Sequence, residues 1–129
     1  MRAIDTNVIV RFLTGDDRAQ AKAARAVIEG GGVFIATTVL LESEWVLRSA
    51  YGFLPGQIAR ALRGLAGLPG VTVEAPLRLA QALDWMTEGM DFADALHLVA
   101  GEGCEAFLSF DRQLIRSAKG RASIPVEAP

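Results

Sequence analysis

The chain of 129 residues holds one cysteine, one histidine and one tyrosine. A lone cysteine excludes an internal disulfide and, with no second thiol in a CxxC spacing, a thiolate zinc site. Cys104 is therefore expected to be a small buried apolar residue in a reducing compartment. A lone histidine excludes the paired imidazoles of a typical zinc or iron centre. Long apolar runs are missing as well. Charge interrupts each of them, and no charged-then-apolar leader precedes the first strand, so the expectation is a cytoplasmic chain with no membrane partner. Excess positive charge is absent too: the net charge of -2 argues against a surface that coats nucleic acid nonspecifically.

Hydrophobic residues at 51% and charged residues at 22% give no sign of disorder, and the length suits one domain over residues 1–129. Charge is unevenly distributed. No acid lies between Trp45 and Val73, which hold Arg48, Arg60 and Arg63, and none between Arg112 and Glu127, which hold Arg112, Arg116, Lys119 and Arg121. A solvated face accounts for the first stretch, whereas the second is dense enough to contact phosphates.

In chain order, Arg2 to Ile4 reads as a brief buried strand ending at Asp5, with Thr6 opening a helix of Val8, Ile9, Phe12 and Leu13. Asp17 and Gln20 resemble a capping box for a second helix with Ala21, Ala24, Val27 and Ile28 as its apolar stripe. Gly30 to Gly32 ends that helix, and Val33 to Ala36 is a β-favouring run of the kind buried in a parallel sheet. Thr37 and Thr38 are expected to cap a helix reaching about Ala50. Gly52 to Gly70 holds one short helix, forming a helical hairpin with its predecessor, and Val71 to Val73 is a third strand. Pro76 opens a helix with Leu79, Leu83 and Met86 as its spine; Asp91 caps the next, which carries Asp94 and His97. His97 is expected to be packed and hydrogen-bonded. Ala106 to Phe110 reads as a fourth strand stopping at Asp111, a helix follows over Arg112 to Ala118, and Ile124 to Val126 adds a last edge strand.

Chemistry concentrates at four acids. Asp5 and Asp111 follow strands, and Glu42 and Asp94 lie in early helical turns. In a parallel α/β sheet such positions face the edge where ligands bind. Asp5 and Asp91 also read as plain N-caps, Asp94 as the acidic partner of a capping box, and Glu42 as a solvated glutamate without a local partner. Glu44 lies about 200° from Glu42 around the helix and has Arg48 four residues on, the spacing of an exposed ion pair. Two carboxylates about 6 Å apart repel by about 3 kcal/mol at an effective dielectric of about 20, so gathered acids call for a cation. Oxygen-only donors select Mg²⁺ or Mn²⁺, and the matching chemistry is metal-assisted attack of water on a phosphodiester.

The segments Ile4 to Val8, Glu42 on its helix, Asp91 to Leu98 and Ser109 to Arg112 together resemble the PIN-domain family, and within it the VapC-type toxins of bacterial toxin-antitoxin pairs. The resemblance covers nearly the whole chain. It implies a three-layer α/β/α sandwich with a mostly parallel central sheet, Mg²⁺-dependent endoribonuclease activity, and neutralisation by a cognate antitoxin. Asp5, Glu42, Asp94 and Asp111 then match the acidic metal site, with Thr6, Asn7 and Ser109 as supporting hydroxyl and amide groups; Ser109 stands where threonine is common. A homodimer is also implied, with apolar faces around Leu40 to Leu65 expected at its interface. A receiver domain would need an acidic pair beside the first strand and a late lysine, and a haloacid-dehalogenase-like phosphatase needs Asp-x-Asp, which Asp5-Thr6-Asn7 lacks. The remaining rival is a PIN-like module that binds RNA or a partner without cutting.

Overall fold

The computed structural model describes residues 1–129 as a mixed α/β protein with seven helices and short strands that pair only in parallel. Two compact units are distinguished, Met1–Pro76 and Leu77–Pro129.

The first unit runs β1 (Arg2–Ala3), α1 (Thr6–Thr14), α2 (Arg18–Glu29), β2 (Val33–Ile35), α3 (Thr37–Ser49), α4 (Pro55–Ala66) and β3 (Val71–Val73). Its sheet has the order β1-β2-β3, with Arg2 opposite Val33 and Phe34 opposite Thr72. Val33 and Ile35 are fully buried, as expected of a central parallel strand flanked on both faces. β1 departs from expectation. It is two residues long and exposed, with burial beginning only at Ile4, because a strand at the sheet's edge has a neighbour on one side alone. Gly31, Gly32 and Gly70 all have φ between 63° and 79°. A Cβ on Gly70 would stand 2.6 Å from the Gly31 Cα, so the turns entering β2 and β3 need glycine to pass each other.

The helices of this unit follow the expected stripes. Asp17 caps α2 by accepting from the Gln20 N–H, and Ala24 and Ile28 are buried. Leu40, Ser43, Glu44 and Leu47 form the buried stripe of α3, which packs on α4 through Ile58, Ala59, Leu62 and Leu65. Thr37 and Thr38, however, do not cap α3. The first residue outside the helix is Ala36, which makes no side-chain cap bond, and Glu74 after β3 accepts from the Thr37 N–H at 3.2 Å instead. The Leu40 to Leu65 face expected at a dimer interface is mostly covered within the unit, leaving Trp45 (57% exposed) and Leu54 (65%) as its large exposed members.

The second unit holds nearly all of α5 (Pro76–Thr87), then α6 (Phe92–Ala100), β4 (Phe107–Leu108), α7 (Arg112–Ala118) and β5 (Val126–Glu127). β4 and β5 form their own two-stranded parallel pair, with Phe107 opposite Val126. The fourth strand is shorter than expected: Ser109 and Phe110 lie beyond it, and Phe110 is 84% exposed. Cys104 is exposed rather than buried, since it sits in the tight turn after α6 beside Gly103, whose φ is 89°. His97 is likewise exposed. The buried face of α6 is Phe92, Ala95, Leu96, Leu98 and Val99, which leaves position 97 on the opposite side.

Candidate active site

Asp5 is both the N-cap of α1 and the wall of a cleft. Its extended backbone (φ -89°, ψ 167°) turns β1 into α1, and its Oδ1 accepts from the Thr6 N–H at 2.8 Å. Thr6 is buried, with 6% exposure, and its hydroxyl donates to Glu42 Oε1 at 2.5 Å, the short separation of a charge-assisted bond. Glu42 therefore has a partner that the sequence did not reveal, 36 residues away. One threonine ties two carboxylates together, through its N–H on one side and its hydroxyl on the other. Each carboxylate spends one oxygen in these bonds. The cleft they share measures about 370 Å³ and is completed by Asn7, Val10, Arg11, Val46, Ala50 and Tyr51.

Glu44 lies on the other side of the helix. It is 3% exposed, and its Oε2 accepts from Arg48 Nε at 2.8 Å. The expected exposed ion pair is therefore half wrong: the guanidinium is partly solvated, but the carboxylate is enclosed.

In the second unit Asp91 caps α6 by accepting from the Asp94 N–H at 3.1 Å, as expected. Asp94 is half-buried, and burial raises its pKa, with the charges of Asp91 and Asp111 pushing the same way against a smaller opposing effect of His97. Asp111 caps α7 through Oδ1, accepting from the Gln113 and Leu114 N–H groups at 2.9 and 3.2 Å. Ser109 supports it indirectly: its Oγ accepts from the Asp111 N–H at 3.0 Å and does not touch the carboxylate. Arg112, Arg116 and Lys119 are exposed. Arg121 is not part of a free basic run, because its guanidinium pairs with Glu88 at 3.1 Å and donates to the Ser117 carbonyl at 2.7 Å.

Asp5 and Glu42 are thus joined in one unit, and Asp94 and Asp111 interact in the other. No group of three or more His, Cys, Asp or Glu side chains gathers closely enough to hold a metal by itself. Pairs of carboxylates nonetheless suit a magnesium-like ion, which binds through one or two of them and keeps waters or phosphate oxygens elsewhere. Sequence reasoning missed Glu74, Arg11 and Tyr51. Arg11 and Tyr51 could be read only from the fold, since 40 residues separate them.

The raised pKa of Asp94 has a signed consequence. A carboxyl whose folded pKa exceeds its unfolded value of about 3.8 stabilises the fold at low pH and penalises it once ionised. Asp94→Asn should therefore raise the melting temperature of metal-free protein at neutral pH. The gain should shrink as pH falls through the folded pKa and vanish below about 3.8. Melting curves of the two proteins between neutral and acid pH check this.

A family model of the PIN domain matches residues 3–120, and the chain therefore belongs to the PIN domain family. That membership carries a nuclease-type fold, hydrolase chemistry at its coarsest level and a nucleic-acid substrate. A search of curated proteins finds none that matches the chain. No helix is long and apolar enough to cross a membrane.

Proposed function

We propose that this PIN domain is a Mg²⁺-dependent endoribonuclease, the toxin of a VapC-type pair, with Asp5, Glu42, Asp94 and Asp111 as its metal-binding carboxylates. The observation that carries the reading is the Thr6 bridge, which holds Asp5 and Glu42 on one cleft with part of each carboxylate uncommitted. A bound Mg²⁺ or Mn²⁺ would supply a water acidic enough to attack phosphorus and would offset charge on the phosphate. The chain's own contribution is orientation. Thr6 fixes the rotamers of two ligands at once, and Asn7 lies at the rim with its amide free to meet substrate or water. Asp111 is held by two backbone N–H groups. Burial and the charges of Asp91 and Asp111 raise the pKa of Asp94, and a neighbouring cation would favour its ionised form.

The cognate antitoxin belongs to the same reading. An Arg or Lys from it would neutralise the Asp5–Glu42 cleft, since guanidinium and carboxylate pair well and need no metal. A homodimer is also part of it, and its apolar footing narrows to Trp45 and Leu54.

Metal binding is testable without any substrate. A cation that binds only the folded state at 100 times its Kd should add about 2.7 kcal/mol of stability, so Mg²⁺ or Mn²⁺ should raise the melting temperature by several degrees. An unchanged melting temperature across millimolar Mn²⁺ would remove the metal from this reading. Single-stranded RNA incubated with protein and Mg²⁺ should be cut, whereas binding without cutting would favour the non-catalytic module.

Arg112, Arg116 and Lys119 are assigned to RNA phosphates, with Arg121 now a structural residue. Neutralising two of the three should flatten the dependence of log affinity on log salt by about 0.7 for each lost contact. Neutralising Arg121 should lower stability instead. An unchanged slope for the first group returns the segment to an ordinary solvated face.

A further inference from the structure

Arg11 stands where two cavities of the first unit meet. One is the carboxylate cleft already described. The other measures about 260 Å³ between α1 and α2, with apolar walls from Val8, Ala23, Ala24 and Val27 and amides from Asn7 and Gln20. Asn7 and Arg11 line both.

The arginine is unusually well held for a groove side chain. Its Nε donates to Gln20 at 2.7 Å, and its Nη1 donates to Asp16 at 3.0 and 3.2 Å and to the Tyr51 hydroxyl at 3.1 Å. Tyr51 in turn donates to Asp16 Oδ2, and Thr14 donates to Asp16 Oδ1 at 3.0 Å. Nη2 takes part in none of these bonds. The guanidinium is charged at any working pH, as every arginine is, and Tyr51 and Asp16 push its pKa further up. Asp16 balances part of this charge, as Glu88 does for Arg121. Arg11 alone of the two, however, lines both cavities with a rigid guanidinium and an uncommitted Nη2, the arrangement of a buttressed phosphate anchor beside two carboxylates.

We infer that α1 and α2 form a nucleotide subsite adjoining the carboxylate cleft. The phosphate flanking the cleaved one rests on Arg11 Nη2, and its base enters the 260 Å³ cavity within reach of the Asn7 and Gln20 amides. The inference rests on the ribonuclease reading and adds to it a binding step that needs no metal. Apolar walls with a few amide groups suit the face and edge of a base, whereas an isolated ion would find no partner there beyond Arg11. The Asp16–Arg11–Tyr51 network also links α1 to segments beyond it, so loss of fold must be separated from loss of phosphate.

The experiment measures binding of a fluorescent single-stranded RNA in EDTA across a salt series, on the full chain. Arg11→Gln should weaken binding and flatten the salt slope by about 0.7. Arg11→Lys, which keeps the charge, should restore the slope. Asp16→Asn should lower the melting temperature but keep the slope, because it loosens the network and leaves the cation. Ala23→Leu fills the cavity from an exposed helical position and should lose affinity at constant slope. An Arg11→Gln slope equal to wild type, or Asp16→Asn losing as much slope as Arg11→Gln, overturns the subsite while leaving the nuclease reading intact. Wild-type protein that binds no RNA in EDTA overturns the subsite, and one that also cuts no RNA in Mg²⁺ overturns both.

Discussion

Asp5→Asn and Asp94→Asn are each expected to give a folded protein that cuts RNA at less than about one-hundredth of the wild-type rate. The magnitude follows from metal sites in general. Removing a group that merely supports a ligand costs about 10- to 100-fold, and these changes remove a proposed ligand's charge directly. Neither disturbs packing: Asp5 is exposed and Asp94 half-buried. Asn at position 5 can still accept from the Thr6 N–H, so the start of α1 survives. Asp94→Asn is the more telling of the two, because stability and activity move in opposite directions. The metal-free variant should melt later than wild type at neutral pH for the reason given by its raised pKa, yet be inactive. Circular dichroism melts and a gel-based cleavage assay on the same preparations supply both readouts. Retained turnover in either variant at saturating Mg²⁺ would remove that residue from the site.

Glu42→Gln and Glu44→Gln should divide activity from stability along one helix. Glu42 is an exposed residue that lines the cleft and is bonded to Thr6, so glutamine there keeps an acceptor for the hydroxyl while losing the ligand charge. Cleavage should fall by about 100-fold or more, with little change in melting. Glu44 is enclosed and bonded to Arg48 at 2.8 and 3.4 Å. A hydrogen bond to a charged group is worth about 1.5–3 kcal/mol, and part-exposure of Arg48 discounts this, so Glu44→Gln should cost about 1–2 kcal/mol and keep its activity. Urea titration measures the second effect. Loss of activity in Glu44→Gln without loss of stability would reverse the two assignments.

The structure explains why one glutamate was legible in the sequence and the other was not. Their angular separation holds, and it sends Glu42 to the cleft. The same periodicity puts Leu40, Glu44 and Leu47 on one stripe, and that stripe is buried. Reading the Glu44–Arg48 spacing as an exposed pair gave local charge geometry priority over the stripe. The caps at Asp5, Asp17 and Asp91 were legible because they are local, each bonding an N–H group within three residues. The start of α3 was not, because its cap is Glu74, 37 residues away. Thr6 shows both cases at once. Its place beside Asp5 is a matter of sequence, whereas its bond to Glu42 requires β1 and β2 to be paired in register so that their carboxyl ends lie together. Arg121 and Arg11 repeat the lesson, since distant acids and a distant phenol decide which cations remain available. Cys104 and His97 were misplaced by applying residue-type preferences to positions that a turn and a helix's outer face control.

The central claim is that these carboxylates act through a divalent cation, and chelation tests it most directly. Wild-type protein should cut a single-stranded RNA in Mg²⁺, stop when EDTA exceeds the metal, and resume when Mg²⁺ is added back in excess. Cleavage that continues unchanged in excess EDTA, at a rate that Asp5→Asn does not alter, would contradict it.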